Sequence, residues 1–173
     1  GYAKYGDIAR LFGWQALKDF FYQENLDFNA GKLTCFESPV CLDGLAQVDS
    51  RILRLSKAAG ADLTPLIHFW GVHPDNSTAL AQAITAAGLD NSTISAIVRD
   101  KLVYYAGIAP TNNAQFNTHF ETVFPGRPEG GHPDYGVGWY NVWRDSFNES
   151  HGAQITTTIQ SLLTKYFPGT NLP

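Results

Sequence analysis

The 173-residue chain lacks several features that mark common protein classes. It contains no run of 18 apolar residues, so no transmembrane helix is expected. It has no basic run, and its formal net charge of −4 argues against nucleic acid or an anionic membrane as partner. Alternating apolar and polar residues are scarce, so strands are not expected beyond a brief pairing at residues 32–34.

The chain also contains no methionine, and its first residues do not follow the signal-peptide pattern. The missing initiator predicts a segment of a longer protein. Hydrophobic residues make up 44% of the chain and aromatic residues 13%, which is enough for a packed core. We expect one helical domain over residues 1–173, with subdomains at 1–72 and 73–173 as an alternative.

The only two cysteines, Cys35 and Cys41, enclose a Ser-Pro turn. Five intervening residues allow their Cα atoms to come within disulfide range, so we predict a bridge. The alternative is a pair of reduced thiols. A zinc site would need further ligands nearby, and a redox pair more often has the Cys-x-x-Cys spacing.

Helical periodicity is the main pattern that the sequence does contain. It predicts an all-α fold, an irregular multi-helix bundle with a disulfide-bearing loop and a Gly/Pro-rich loop. Trp14, Leu17 and Phe21 are predicted to face inward, as are Ile97 and Ile155. The predicted helices cover residues 7–12, 14–26, 45–59, 63–70, 77–87, 92–105, 113–124, 138–147 and 154–167.

Residues 50–72 read as two helices joined by a tight corner. Gly60 is predicted to end the first helix in a left-handed conformation, and Asp62 to cap the second. Trp70 is predicted to be structural and buried against the helix that carries Ile52 and Leu55. Such a corner is a packing device and carries no reaction centre.

The same region resembles a known family. Residues 55–71, which include Gly-Ala-Asp-Leu-Thr-Pro-Leu-Ile-His-Phe-Trp-Gly, resemble a stretch near the C-terminal end of enhancin-like zinc metallopeptidases. That group includes the bacterial immunomodulating and mucin-degrading metalloproteases. Residues 8–21, with Phe-Gly-Trp and an amphipathic helix, are similar to a passage that follows the family's catalytic helices. The two matches occur in the family's order.

The resemblance implies the C-terminal helical part of a secreted or surface-exposed bacterial zinc metallopeptidase that acts on glycoproteins such as mucins. The expected partners are the protein's own catalytic domain and the glycoprotein substrate. The family's His-Glu-x-x-His motif is absent: no histidine precedes Glu, and no two are four residues apart. We therefore expect no catalytic or metal-binding residue and no cofactor here; the zinc belongs to the parent protein, and this chain alone is predicted to be inactive.

The alternative function is a non-enzymatic helical module that binds a peptide or glycan. Its candidate surface is the Gly/Pro-rich loop at 125–138 and the residues after it. A metal site on this loop would need ligands from elsewhere, and aromatic residues at helical spacing here are also typical of a core. The candidate contact residues are His132, Asp134, Tyr135, Trp139 and Arg144.

The sequence also contains two weaker patterns. Asp43 and Asp49 could form an acid pair for glycoside hydrolysis, although sequence does not give the carboxylate separation. Asn76, Asn91 and Asn148 begin Asn-x-Ser/Thr motifs. We interpret them first as turn or helix caps, because Asn is a common capping residue.

Overall fold

The computed structural model describes residues 2–31, 41–123 and 149–172. This part of the chain is helical, which confirms the all-α prediction. The predicted strand pairing at 32–34, the loop at 125–138 and the helix at 138–147 lie outside the described residues. The helices are α1 (Ala3–Phe12), α2 (Trp14–Asn29), α3 (Gln47–Ala59), α4 (Thr64–Phe69), α5 (Ser77–Ala86), α6 (Ser92–Ile108), α7 (Asn113–Val123) and α8 (Glu149–Tyr166).

The chain divides into two compact units, residues 1–102 and 103–173, with the division inside α6. In the first unit α2 packs on α1 and α3, and α3 also contacts α4 and α5. In the second unit the buried apolar residues of α8 are Ile159, Leu162 and Leu163. The largest fully buried apolar side chains of the first unit are Ile8, Phe20, Ile52, Leu63, Leu66, Ile67, Leu80, Val98 and Leu102.

The corner between α3 and α4 forms as predicted. Gly60 has φ 68° and ψ 24°, the left-handed conformation that ends a helix at little cost for glycine. The Ala61 N–H donates to the Ser56 carbonyl oxygen over 3.1 Å, which closes the last turn of α3. The Asp62 carboxylate accepts the Thr64 N–H at 2.8 Å, so it caps the start of α4.

Asparagine caps the next two helices. The Asn91 side chain accepts the Thr93 N–H at 2.9 Å, as the sequence indicated for α6. Asn76, interpreted from the sequence as a turn or helix cap, caps α5 and accepts the Ala79 N–H at 3.0 Å. Both residues therefore satisfy backbone donors that the first turn of a helix leaves unpaired.

Not every apolar residue at helical spacing is buried. Ile97 on α6 and Ile155 on α8 are partly exposed to solvent, although both were predicted to face inward. On α6 the buried residues are instead Val98 and Leu102. Periodicity places apolar residues on one side of a helix, but the width of the buried arc depends on which neighbours pack against it.

Candidate functional site

A part-buried polar contact joins the end of α4 to α1. The Trp70 indole Nε1–H, beyond the end of α4, donates to Asp7 Oδ2 of α1 at 2.8 Å. Asp7 is only 2% exposed, and Lys101 Nζ of α6 lies 3.8 Å from its other carboxylate oxygen. The prediction of full burial for Trp70 is wrong, because its side chain is only partly buried. Its indole instead links the end of α4 to α1.

Of the residues of α2 that the sequence assigned to the core, Leu17 is buried, but Trp14 and Phe21 are exposed. Trp14 is 69% exposed, Phe21 49% and Phe28 63%. The three residues are spaced by seven, so they lie along one face of α2, and we call them the aromatic stripe. The buried residues of α2 are Ala16, Leu17 and Phe20, on the neighbouring face. The inward prediction for Trp14 and Phe21 is therefore wrong, because α2 has two adjacent apolar faces.

An ion-paired network connects α2 to α3. Glu24 of α2 accepts from Arg54 Nη2 at 3.0 Å and lies 3.4 Å from Arg51 Nη2. Arg54 Nη1 also donates to Ser50 Oγ over 2.7 Å, and that hydroxyl donates to Asp43 Oδ2 at 2.6 Å. Both terminal nitrogens of Arg54 have defined partners, so the network links α2, α3 and Asp43, although Arg54 Nε is buried without a hydrogen-bond partner among the described residues.

Beside this network is an open cleft of about 490 Å³ within the first unit. Its wall combines carboxylates, cationic groups and neutral hydrogen-bonding groups with the apolar side chains of Phe20, Leu42 and Ala58. Such a mixed lining offers a ligand both hydrogen bonds and apolar contact. The lining residues are Asp19, Phe20, Gln23, Asp27, Cys41, Leu42, Asp43, Ser50, Arg54, Lys57 and Ala58.

Asp43 and Asp49 do not form a catalytic pair. Asp49 is 0% exposed, and its two carboxylate oxygens accept the N–H groups of Asp75 and Asn76 at 2.9 and 2.8 Å. Asp43 accepts from Ser50 and from the Leu45 N–H. Asp49 is thus committed to positioning the segment before α5, and the hypothesis of glycoside hydrolysis by this pair has no support in the geometry.

The candidate contact residues His132, Asp134, Tyr135, Trp139 and Arg144 lie outside the described residues, as do Asn148 and Cys35. Cys41 is buried and lines the cleft, where its N–H donates to the Leu45 carbonyl oxygen at 2.7 Å. The Cys35–Cys41 bridge stays a prediction.

Comparison with known proteins identifies no matching family model, no similar curated protein and no similar solved structure. Across residues 2–31, 41–123 and 149–172, no group of three or more His, Cys, Asp or Glu side chains converges as it would around a metal ion. In the same ranges no helix is long and apolar enough to cross a membrane.

Proposed function

We propose that this chain is the non-catalytic helical portion of a larger, secreted or surface-exposed zinc metallopeptidase that acts on glycoproteins such as mucins. Its role is to support the catalytic domain of that protein. The sequence resemblance at residues 8–21 and 55–71 suggests the parent, and it is supported by the placement of both stretches in the same compact unit.

The observation that carries the supporting role is the aromatic stripe on α2. Three large aromatic side chains in a row on one exposed helix face are unusual for a surface that meets only water, and such patches mark interaction sites. Trp14 and Phe21 lie inside the first of the two resembling stretches, which is similar to a passage that follows the catalytic helices in the family. Removing these rings from water offers a clear driving force for docking.

The first experiment compares this chain with the same chain preceded by its upstream coding sequence. Only the longer protein should hold stoichiometric zinc at a His-Glu-x-x-His site and cleave mucin or casein in a chelator-sensitive way. Proteolysis by the short chain alone, or a longer protein without the motif and without activity, would contradict the proposal.

The second experiment tests the stripe. The double variant Trp14→Ser/Phe28→Ser should leave the Tm of the short chain nearly unchanged, because both rings are already exposed. The same change should lower the Tm and the activity of the longer protein. Tyr104→Ser is the matched control, since Tyr104 is an exposed aromatic residue of α6 outside the stripe. An equal effect of both changes in the longer protein would remove the stripe as the docking face.

The second candidate is a binding module for a glycan or peptide, and the cleft favours it. Carboxylates, Gln23 and Lys57 offer acceptors and donors of the kind that hold sugar hydroxyls. Titration of the chain with mucin-type oligosaccharides, followed by backbone amide NMR signals, distinguishes the two. Saturable shifts confined to the cleft residues, together with an inactive longer protein, would favour the module.

A further inference from the structure

Two histidine side chains meet at the end of α4. His68 lies in the last turn of this helix, and His73 lies in the segment that leads to α5. His73 Nδ1 is 2.8 Å from His68 Nε2, and the ring centroids are 4.5 Å apart with an interplanar angle of 75°. A contact this short requires one ring nitrogen to carry a proton and the other to present its lone pair. The two nitrogens therefore face each other directly.

The backbone on both sides of His73 is fixed. Just after α4, the Gly71 N–H donates to the His68 carbonyl oxygen at 2.9 Å, and the Val72 N–H donates to the Ile67 carbonyl oxygen at 3.2 Å. Gly71 has φ 83°, a value that suits glycine and reverses the chain toward His73.

On the other side of His73, the buried Asp49 carboxylate holds the N–H groups of Asp75 and Asn76. Leu66 and Ile67, which precede His68 in α4, are buried in the core at 0% and 1% exposure. The protein thus fixes both imidazoles near each other before any ligand binds, which lowers the cost of binding one.

We propose that His68 and His73 form a surface site for a borderline divalent metal ion such as Zn²⁺, Ni²⁺ or Cu²⁺. Neutral imidazole is a preferred ligand of these ions, whereas Mg²⁺ and Ca²⁺ prefer oxygen. Two nitrogens bound at ~2.0–2.1 Å in tetrahedral geometry lie roughly 3.4 Å apart, so the rings need to open by about 0.6 Å. Small side-chain rotations supply this change, because the histidines are only partly covered.

The site differs from a peptidase centre. Within the ranges that the structure describes it offers two protein ligands, where a catalytic zinc has three and a general base beside it. Water completes the coordination. On binding, the ring that donates in the free protein moves its proton to its other nitrogen, so that both facing nitrogens present lone pairs to the metal ion and both rings stay neutral. The bound ion ties the end of α4 to the segment before α5, so its effect is to stabilise this part of the first unit.

The test uses the full chain, freed of metal and of any affinity tag. Isothermal titration with Ni²⁺ and Zn²⁺ should show one saturable site, and Mg²⁺ should show none. His68→Gln and His73→Gln should each weaken binding by at least roughly tenfold, because each removes one of only two ligands. His151→Gln is the control: His151 is an exposed histidine of α8 in the second unit, and its loss should leave the affinity unchanged.

A second measurement needs no variant. Substoichiometric Cu²⁺ should broaden the ring signals of His68 and His73 before those of the other histidines. The absence of a saturable site, equal affinity in His73→Gln and the unaltered chain, or earlier broadening at His151 would each overturn the proposal. Circular dichroism of the variants checks that a lost site does not reflect lost folding.

Discussion

Asp62 shows how a single residue can cap a helix at an electrostatic cost. Its carboxylate accepts the Thr64 N–H at the start of α4. Burial raises the pKa of Asp62 above its ordinary value of 3.8, and the negative charge of Asp90 raises it further, while hydrogen bonds from Thr64 lower it. The net direction is upward, so the folded protein binds this proton more tightly than the unfolded chain does.

The raised pKa of Asp62 determines how its contribution to folding stability changes with pH. The contribution of Asp62 to stability is greatest below the unfolded pKa and is lost as pH rises through the folded one. Asp62→Asn keeps an oxygen that can accept from Thr64 but carries no charge. We expect this variant to be more stable than the unaltered chain at pH 7, and this advantage to vanish near pH 3.

Urea unfolding at a series of pH values measures this effect. Asp100→Asn is the control, because Asp100 is exposed and its pair with Arg99 lies at the surface, where such a pair contributes at most ~1 kcal/mol. An Asp62→Asn variant less stable than the unaltered chain at every pH would show that the capping hydrogen bond outweighs the buried charge.

At the scale of helices, the link between α1 and the end of α4 depends on one indole N–H. Trp70→Phe keeps an aromatic ring but leaves the nearly buried Asp7 carboxylate without this donor. We expect a loss of roughly 1–3 kcal/mol in the free energy of unfolding, the typical cost of leaving a buried acceptor without its partner.

Trp14→Phe provides the matched control for this change. Trp14 is 69% exposed, so its substitution should shift stability by less than ~0.5 kcal/mol. Chemical denaturation of the two variants compares them directly. Equal effects would mean that the Asp7 contact contributes nothing beyond ordinary packing of the ring.

At the scale of the whole molecule, the second unit contains a backbone contact that depends on a glycine. In the second unit Gly152, near the start of α8, is buried against the segment that follows α6. A Cβ added at Gly152 would lie 1.9 Å from the Pro110 carbonyl oxygen, much closer than van der Waals contact. Glycine has no Cβ, so only glycine at position 152 allows α8 to pack this closely against the segment that contains Pro110.

Gly152→Ala should therefore destabilise the second unit by about 1–3 kcal/mol or more, the range for overpacking. Gly107→Ala is the matched control, because Gly107 is also helical and has nothing within 4 Å of an added Cβ. That change should be neutral or stabilising by up to ~1 kcal/mol, through helix propensity. Thermal unfolding followed by circular dichroism tests the pair, and a stable Gly152→Ala protein would show that α8 packs less closely.

Much of the helical fold could be predicted from local chemistry. Gly60, Asp62 and Asn91 act within a few residues of themselves, so their roles as helix end and caps are set by the chain alone. The bounds were less accurate: α1 begins at Ala3 rather than residue 7, and α2 continues to Asn29 rather than residue 26. Polar and small residues extend a helix without adding to the apolar periodicity.

The His68–His73 contact and the Trp70–Asp7 contact could not be predicted from local chemistry. The His68–His73 pair was missed because neither residue belongs to a metal-ligand motif, and only the turn at Gly71 brings their rings together. The ring of Trp70 was expected to face α3, but its N–H finds an acceptor on α1 that lies 63 residues earlier in the chain.

The sequence by itself determined that the described chain is helical and which residues end or cap helices, such as Gly60 and Asn91. These properties depend on backbone preferences and spacing over a few residues. Only the tertiary structure decided which apolar face of α2 is buried, and this choice leaves the aromatic stripe exposed to water. The tertiary structure also decided the hydrogen-bond partners of Asp7 and Asp49. Burial and partner choice depend on residues far apart in the chain, and local periodicity is the same whether a face meets protein or solvent.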